Sequence, residues 1–522
     1  MPIAPQRILP DWSQPSRPTL GRDPLGLQAT SVRVYRDLVP GLTNVTNRLR
    51  YYSFYCWVVR KYETTQHADD EKRWKIFIRR AEALFALSSQ MHEPDGTGGI
   101  AGGDWARLYV RDNKEGPIDL RPYTDKPGDR SAKQYLLASR GNFGQFYVNS
   151  MTEVGLLQPT TGVPLVSRPR GQELADAFED AVGVRVADLF VRTLGSGRLS
   201  WADAKAIGRA VHPNGIGGST KEMRMLRDFV LANVPDTIDG NPRRQSAWLL
   251  LDLLRRGVSP DDELSIRRAL YHRSLPNGAA YAVSGKTIDL WRVYQANELC
   301  HVALEVWLNA IAYGVDTYQR PQSPRQILRD LTANTFDQQM FAQPWCQWAA
   351  GIRDAKIKQQ EKLADDVLEA LRDLSDVQQK SALQAAAELL ALLWLRWATG
   401  ENGVRAALLK YAGIGGRSLA HVLESLDSHA DSSAGQCLIS VLQEHIVEGH
   451  LAIAGRKLAA SDKFTYRFML ADGTLSDGVV TDYGFTNPRL RNLARFLKDA
   501  RLCTDDGVTA AGERFLDENK PS

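Results

Sequence analysis

The sequence predicts a mainly α, multi-domain helical protein with small β-hairpins and winged-helix-like units. At 522 residues the chain is longer than one ordinary hydrophobic core supports, so we expect several units. Apolar residues recur at three- and four-residue steps through most of the chain, as amphipathic helices require. Strand-like alternation is confined to short segments, which predicts hairpins near residue 165 and within 464–481.

The first expected unit, 1–140, combines a proline-rich N-terminal arm, helical patterns and a region of loop composition over 91–130. A winged-helix-like segment follows at 141–180, and a helical region spans 181–455. The last unit, 456–522, joins a β-hairpin to a second winged-helix-like segment. The Asp472–Gly473 pair between alternating residues predicts the turn of that hairpin.

Composition and charge exclude several function classes. A net charge of +4 is mild for this length, so any nucleic-acid binding must come from a local patch. The five cysteines are far apart and form no CxxC pair, which argues against a zinc ribbon or a disulfide framework and predicts a reducing cytoplasm. The most apolar helical pattern, 381–400, carries Gln384, Glu388 and Arg396, so we expect a buried helix and no membrane contact.

A dense block of arginines, asparagines and aromatics begins at Pro40 and reads PGLTNVTNRLRYYSFYCWVVRKYE. Thr43 or Asn44 is the expected N-cap of a helix. Its apolar and aromatic residues form two adjacent stripes, which predicts a helix buried on most of its circumference: Val45, Leu49, Tyr52, Cys56 and Val59 on one stripe, and Tyr51, Tyr55, Val58 and Tyr62 on the other. Its arginines should pair with acids or reach the surface by their stems: Arg48, Arg50 and Arg60. A nucleic-acid stacking platform is the less favoured interpretation, since such platforms usually come from sheets or grooves.

The same block resembles the opening helix of an uncharacterised bacterial family often encoded near anti-phage defence genes, with a pattern fPG-s-tR-RYf-f-pW. The resemblance covers only Asp37–Val59, and Asn44 and Asn47 depart from the pattern. Because the biochemistry of that family is not established, the resemblance implies a defence context and defence-system protein partners, but no active site. The positions that match the pattern are Pro40, Gly41, Arg48, Arg50, Tyr51, Tyr52 and Trp57.

Two distant segments share one order of elements: FGQFYVNSMTEVGLLQPTTGVPLVSRPRGQELADAF and NPRLRNLARFLKDARLCTDDGVTAAGERFLDE. Each reads as a helix, a short turn, a β-like stretch and a second helix opened by a glycine, Gly171 or Gly512. This order resembles the second half of winged-helix domains, in which a recognition helix is followed by a wing hairpin and a closing segment. We refer to these segments as the first copy and the second copy.

The second copy carries the more suggestive chemistry. Asn487 can cap its helix and Pro488 suits the first helical position. Four apolar residues fall on one side of that helix and basic residues fall on the other, as a helix that reads a DNA groove requires. The apolar set is Leu490, Leu493, Ala494 and Leu497. The predicted nucleic-acid-binding residues are Arg489, Arg491, Arg495 and Lys498, together with Arg168 and Arg170 in the first copy.

Motifs of catalysis are not recognisable in the sequence. The glycine-rich stretches 214–222 and 411–419 both fail the spacing of a nucleotide-binding loop. His445 and Glu448 do not satisfy a metalloprotease pattern, and His92, Glu93 and Asp95 only share a loop-like region. We therefore expect no metal, no cofactor and a non-enzymatic role in binding nucleic acid, most simply DNA. Two alternatives stay open: an adaptor that docks protein partners, and a nucleic-acid-directed enzyme whose catalytic residues are not local in sequence.

Overall fold

In the computed structural model, the described residues are 23–43, 45, 48–96, 98–113, 116–129, 133–217, 220–231, 241–317, 321–356, 376–397, 402–461 and 464–520. These residues form mostly helices, with two antiparallel sheets of two strands each. The predicted mainly α class is confirmed. Most of the predicted N-terminal arm, residues 1–22, lies outside the described residues.

The chain divides into two compact units. The repeat unit comprises residues 35–269, 273–288 and 487–522, and it contains both copies. Its helices are α1 (Gln28–Leu38, from Tyr35 onward), α2 (Arg50–Glu63), α3 (Glu71–His92), α4 (Gly103–Asp112), α5 (Arg121–Thr124), α6 (Val148–Glu153), α7 (Arg170–Val182), α8 (Val184–Ser196), α9 (Trp201–Val211), α10 (Lys221–Leu231), α11 (Pro242–Arg255), α12 (Glu263–His272, as far as Ala269), α22 (Leu490–Asp499) and α23 (Ala510–Glu518). Strands β1 (Ile118–Asp119) and β2 (Arg198–Leu199) pair within this unit.

The long-helix unit comprises residues 1–34, 270–272 and 289–486. Its helices are α13 (Lys286–Thr317, from Asp289 onward), α14 (Pro324–Thr335), α15 (Gln338–Phe341), α16 (Trp345–Lys356), α17 (Asp376–Trp397), α18 (Asn402–Ala412), α19 (Leu419–Ser428), α20 (Ala434–Leu442) and α21 (Gly449–Ser461). Strands β3 (Met469–Ala471) and β4 (Thr474–Ser476) form its hairpin. The segment 456–522, a single unit in the sequence analysis, is therefore divided between the two units after Thr486.

Helix α2 lies in the core of the repeat unit, as the sequence predicts. Tyr52, Tyr55 and Cys56 are fully buried, and eight further residues of the helix are buried with them. The predicted start of the helix is wrong, because α2 begins at Arg50 and Leu49 occupies the N-cap position without a side-chain bond. Thr43 is therefore not the N-cap of α2, and the alternative, Asn44, lies outside the described residues.

The region 91–130 is not the long loop that its composition predicts. Its described part contains a 3₁₀ turn at Pro94–Gly96, helix α4, strand β1 and helix α5. Helix α4 begins after Gly102, whose φ of 76° provides a left-handed entry that a residue with a Cβ rarely adopts. Ala106 and Tyr109 form the buried side of α4, and their spacing is the helical signal that the neighbouring glycines obscure in the sequence.

The predicted hairpin of the long-helix unit is confirmed. Strands β3 and β4 flank Asp472 and Gly473, whose φ values of 51° and 74° suit a two-residue turn with both central residues left-handed. Helix α17 is buried over most of its described side chains, as expected from the pattern at 381–400. Among the helices formed by the described residues, none is both long and apolar enough to span a bilayer.

Candidate nucleic-acid interface

The two copies share their main-chain geometry as well as their order of elements. In the first copy, a short π-helix at Phe143–Tyr147 leads into α6. Leu157 then pairs with Val166 in an isolated β-bridge before α7 begins. In the second copy, α22 is followed by the bridge between Cys503 and Val508 and then by α23. Both copies are therefore a helix, a narrow antiparallel hairpin and a closing helix.

Hydrogen bonds at the helix exits repeat between the copies. In the first copy, Leu156 donates its N–H to the Met151 carbonyl at 2.8 Å and accepts from the N–H of Ser167 at 3.0 Å. In the second copy, Leu502 donates to the Leu497 carbonyl at 2.9 Å and accepts from the N–H of Thr509 at 3.0 Å. The residue before each leucine is left-handed, as in the Schellman ending of a helix.

The closing helices are fixed by equivalent contacts as well. Ser167 and Thr509 donate their hydroxyls to the carbonyls of the left-handed residues, at 2.6 and 2.8 Å, and accept from the N–H groups of Gly171 and Gly512. These repeated bonds support an internal structural duplication, which the sequence shows only as common residue types. The described residues 477–488 before α22 contain no helix, so the second copy is not preceded by the helices of a contiguous winged-helix domain. Helix α11 packs against both α22 and α23 in their place.

Helix α22 begins later than the sequence predicts. Asn487 accepts from the N–H of Arg489 at 2.8 Å in a local turn, and the helix starts at Leu490. The predicted core face is confirmed, because all four of its apolar residues are buried, and Asn492 and Phe496 are buried with them: Leu490, Leu493, Ala494 and Leu497.

The predicted basic residues of the second copy fall into three situations. Arg489 is turned inward, with its guanidinium 4.7 Å from the ring centre of Tyr35 and a hydrogen bond to the Leu42 carbonyl. Burial lowers the pKa of Arg489, so this residue fits a structural role rather than a phosphate contact. Arg491 and Arg495 are exposed on α22, and Arg491 lies 3.8 Å from Glu263.

Lys498 is enclosed by acids. Its ammonium lies 3.1 Å from Asp261 and 2.5 Å from Asp505 on the hairpin. Burial alone would lower the pKa of Lys498, but hydrogen bonds and charges from both carboxylates outweigh burial and raise it. The two carboxylates neutralise this part of the predicted basic stripe.

The basic residues of the first copy lie at the start of α7. Arg168 is exposed in the turn before α7, and Arg170 is half-buried with a hydrogen bond to the Val154 carbonyl at 3.3 Å. The predicted basic residues of the first copy are thus placed by the turn before α7 and by the start of that helix, and those of the second copy by α22 and its N-cap residue.

Sequence reasoning missed an arginine cluster at the end of α22. Arg227 of α10 donates to the Ala500 carbonyl at 2.7 Å, and Arg501 donates to the Ile216 carbonyl. Burial lowers the pKa of Arg227, and the positive charges of Arg501 and Arg514 lower it further, so both of these arginines lie within electrostatic range of Arg227. Because α10 is far from α22 in sequence, no local pattern could reveal this convergence. We call the set Arg227, Arg491, Arg495, Arg501 and Arg514 the arginine surface.

The residues that carry the N-terminal resemblance have structural partners. Arg50 forms a bidentate ion pair with Glu222 at 3.0 and 3.1 Å, and both side chains are buried. Arg48 pairs with Asp499 of α22 at 3.1 Å, and Arg60 pairs with Asp176. The prediction that these arginines pair with acids is confirmed.

The repeat unit also contains a glycine-rich cleft of about 420 Å³. Gly98, Gly99, Gly102, Trp105 and Tyr135 are among its lining residues. The lining contains one arginine, Arg107, which pairs with Asp104 at 2.6 Å. This pairing leaves little net positive charge for a phosphate, so the cleft is less suited to an anion than the arginine surface.

Histidine and acid side chains near this cleft act as structural links. Asn214 donates to Glu93 at 2.9 Å, and His212 Nδ1 lies 3.3 Å from the same carboxylate. Burial lowers the pKa of His212 to about 4, which keeps the ring neutral near pH 7. Within the described parts of the chain, no group of three or more histidine, cysteine or acidic side chains is arranged to hold a metal ion.

Comparisons with known proteins give no match to this chain among family models, curated proteins or solved structures. The functional argument therefore rests on the arginine surface and the duplicated copies.

Proposed function

We propose that this protein binds nucleic acid, without catalysing a reaction on it, through the arginine surface of the repeat unit. Nucleic-acid binding depends on cationic side chains that neutralise phosphates, and guanidinium groups bind phosphate oxygens in pairs of hydrogen bonds. Five arginines from α10, α22, α23 and the exit of α22 supply such groups on one unit of the protein.

The observation that carries the proposal is the conformation of Arg501. Its φ is 58°, whereas the equivalent residue of the first copy is Gly155 with a φ of 70°. An arginine in this left-handed position costs about 1 kcal/mol relative to glycine, and it also adds repulsion with Arg227 and Arg514. Strained and mutually repelling side chains are typical of binding sites, where a ligand of opposite charge offsets the cost.

The acids beside α22 limit where a phosphate can bind. Asp261 and Asp505 enclose Lys498, and Asp506 adds a further negative charge to the hairpin. A phosphate backbone would be repelled there, so we propose that contact occurs at the arginine cluster and not at the tip of the hairpin. Duplex DNA is the ligand that the proposal favours, since an exposed helix that carries Arg491 and Arg495 suits a groove.

A second candidate function is protein docking, and the same acids favour it. The alternating charges around Lys498 suit a protein partner of mixed charge better than they suit a phosphate backbone. In this case the repeat unit would be an adaptor, and the defence-system proteins implied by the N-terminal resemblance would be its partners.

Binding of labelled duplex DNA, single-stranded DNA and RNA at several salt concentrations would test the first proposal. We expect binding that weakens steeply with salt, and the variant Arg491→Ala/Arg495→Ala/Arg514→Ala should bind duplex DNA at least tenfold more weakly. Its salt slope should be shallower by about 0.9 for each lost phosphate contact. A matched control, Arg111→Ala/Arg185→Ala/Arg198→Ala, removes three exposed arginines elsewhere on the same unit and should leave affinity unchanged.

Arg501→Gly separates binding from folding. Glycine relieves the left-handed strain while the bond to the Ile216 carbonyl is lost, so the free energy of unfolding should change by less than about 1 kcal/mol. Affinity for DNA should nevertheless fall several-fold. If no nucleic acid binds at 50 mM salt, or if both arginine variants bind like the parent protein, the proposal fails and the adaptor function takes its place.

A further inference from the structure

Three titratable side chains occupy one face of α13 in the long-helix unit. Glu298, His301 and Glu305 are spaced three and four residues apart, so they lie on the same side of the helix. All three are buried, with exposed fractions of 0%, 0% and 3%. Charged groups are seldom buried unless hydrogen-bond partners or opposite charges compensate them, so the groups around this face must supply that compensation.

An extended segment, 477–486, covers this face of α13. Asn309 donates its side-chain amide to the Thr481 carbonyl at 2.7 Å, and the N–H of Thr486 donates to Glu298 at 2.5 Å. The segment contains neither helix nor strand, and its side chains are half-buried or exposed. It therefore separates the buried face from solvent by a single layer of chain, and we call it the strap.

Beneath the strap, several buried polar atoms lack hydrogen-bond partners among the described residues. They are Glu298 Oε1, His301 Nδ1, Glu305 Oε2, Arg467 Nε and Nη1, and the hydroxyl oxygen of Tyr483. Leaving such a group unsatisfied destabilises the fold, most of all when the group is charged. Unsatisfied atoms on five neighbouring side chains point to one shared ligand site rather than to unrelated defects.

The charges within the set attract one another without contact. Burial lowers the pKa of Arg467, while the negative charge of Glu305 opposes this effect, so the two side chains lie within electrostatic range. The charge of Glu305 also contributes to raising the pKa of Tyr483, after the larger effect of burial. Among the described residues, Glu305 Oε2, Arg467 Nε and Nη1 and the Tyr483 hydroxyl make no hydrogen bond to one another. A molecule between such groups can bridge charges that attract without direct contact.

The proton on His301 determines what such a molecule must offer. Glu305 Oε1 lies 2.9 Å from Nε2 of His301. Burial alone would lower the pKa of His301, but Glu305, Glu298 and Asp23 outweigh burial and raise it to about 9. With this pKa the imidazole carries a proton on each nitrogen near neutral pH. Its Nε2 then faces both Glu305 and the side-chain amide of Gln28, at 2.9 Å, and its Nδ1 is a donor.

The unsatisfied atoms thus divide by chemistry. Arg467, Tyr483 and His301 offer hydrogen-bond donors, and Glu298 and Glu305 offer carboxylate acceptors. A carboxylate would satisfy the donors, and an ammonium group would satisfy the acceptors. We propose that this site beneath the strap binds a small zwitterion with one ammonium and one carboxylate group, of which a free α-amino acid is the simplest class.

Entry to the site requires only a displacement of the strap. The strap pairs with no strand of the described residues, and it is held by hydrogen bonds at Val479, Thr481 and Thr486 that local opening would break. Bound zwitterion would in turn bond the strap through Tyr483. The ligand therefore stabilises the closed strap.

Thermal unfolding of the full chain with each of the twenty standard amino acids at millimolar concentration tests the proposal. At least one amino acid should raise the melting temperature, and isothermal titration should give a matching dissociation constant. Tyr483→Phe removes a hydroxyl that has no partner among the described residues, so folding should be retained while affinity falls about tenfold. Tyr466→Phe, at a half-buried tyrosine that precedes β3, is the control and should bind like the parent protein.

Arg467→Gln should abolish the ligand-induced shift, and the ammonium-free and carboxylate-free analogues of the active amino acid should both fail to bind. If no amino acid shifts the melting temperature or gives a titration signal, the groups are bridged by water only and the proposal is overturned. Equal binding by Tyr483→Phe and the parent protein would also overturn it, because the ligand would then lie elsewhere.

Discussion

Gly171 and Gly512 hold the same place in the two copies of one helix–hairpin–helix arrangement. A Cβ on Gly171 would collide with the carbonyl oxygen of Leu156, and a Cβ on Gly512 would collide with the carbonyl oxygen of Leu502. Each leucine is the residue that follows the left-handed exit of the preceding helix. Glycine is required at both places because the closing helix passes directly over this carbonyl.

Gly512→Ala should destabilise the repeat unit by about 2 kcal/mol, since a methyl group forced against backbone displaces the closing helix. Urea denaturation would measure the loss. Gly195→Ala is the matched control, because a Cβ at Gly195 near the end of α8 meets no atom within 4 Å. That control should be neutral or stabilising by up to about 1 kcal/mol, as expected for alanine in a helix. Equal stability of the two variants would contradict the close approach.

The buried Arg50–Glu222 pair should be far more sensitive to substitution than exposed pairs. Arg50→Met leaves the Glu222 carboxylate buried with only the Ser53 hydroxyl, at 2.6 Å, among its side-chain partners in the described residues. Loss of one member of such a pair costs about 3–5 kcal/mol. The double variant Arg50→Met/Glu222→Met should lose less than the sum of the single variants, since no charge is then left without its partner.

Arg60→Met provides the comparison for that experiment. Arg60 of α2 pairs with Asp176 of α7, but the two side chains are 31% and 40% exposed. We expect a loss below about 1 kcal/mol. A loss at Arg60 as large as that at Arg50 would show that packing of the arginine stems, rather than the buried charge, determines stability.

Tyr52 links the two copies at their first helices. Its ring centre is 5.5 Å from that of Tyr147 in the first copy and 5.7 Å from that of Phe496 in the second, and its hydroxyl donates to the Gly41 carbonyl at 2.6 Å. Tyr52→Ala should cost about 3–5 kcal/mol, whereas Tyr52→Phe keeps the ring and should cost about 1 kcal/mol. Thermal and urea unfolding would compare the two. An unchanged melting temperature for Tyr52→Ala would revive the exposed stacking interpretation of this helix.

Local periodicity explains which of these features the sequence predicts. The buried side of α2 and the core face of α22 follow from apolar residues at helical spacing, and both are confirmed. The start of α2 at Arg50 does not follow, because Thr43 is a good cap by composition while the actual first turn is fixed by the Arg50–Glu222 pair. Partners that are far apart in sequence leave no local pattern.

The same limit applies to the candidate site. The exposed Arg491 and Arg495 follow from the helical pattern, but the inward orientation of Arg489 depends on Tyr35, and the cluster around Arg501 depends on α10. The acids that enclose Lys498 come from two other segments. A stripe of basic residues therefore predicts which face of a helix is exposed. It does not predict the electrostatic potential of that face, because acids from other segments contribute to it.

The last prediction concerns pH and His301. Its pKa is raised from 6.5 to about 9 in the folded protein, so the protonated ring stabilises the fold fully below pH 6.5. That contribution should decrease as the pH rises from 6.5 and be lost above pH 9. Since one pKa unit corresponds to 1.36 kcal/mol, the upper limit of the effect is about 3 kcal/mol.

Urea denaturation between pH 6 and pH 9 would measure this loss, and His301→Gln supplies the comparison. The variant lacks the titrating ring, so the difference in unfolding free energy between parent and variant should be largest near pH 6 and narrow steadily toward pH 9. Glu305 lies 2.9 Å from His301 on the same face and is the main cause of the raised pKa of His301, so Glu305→Gln should remove most of the same pH dependence. A difference that stays constant across this range would mean that His301 is neutral in the folded protein, and the assignment of a donor at its Nδ1 would fail with it.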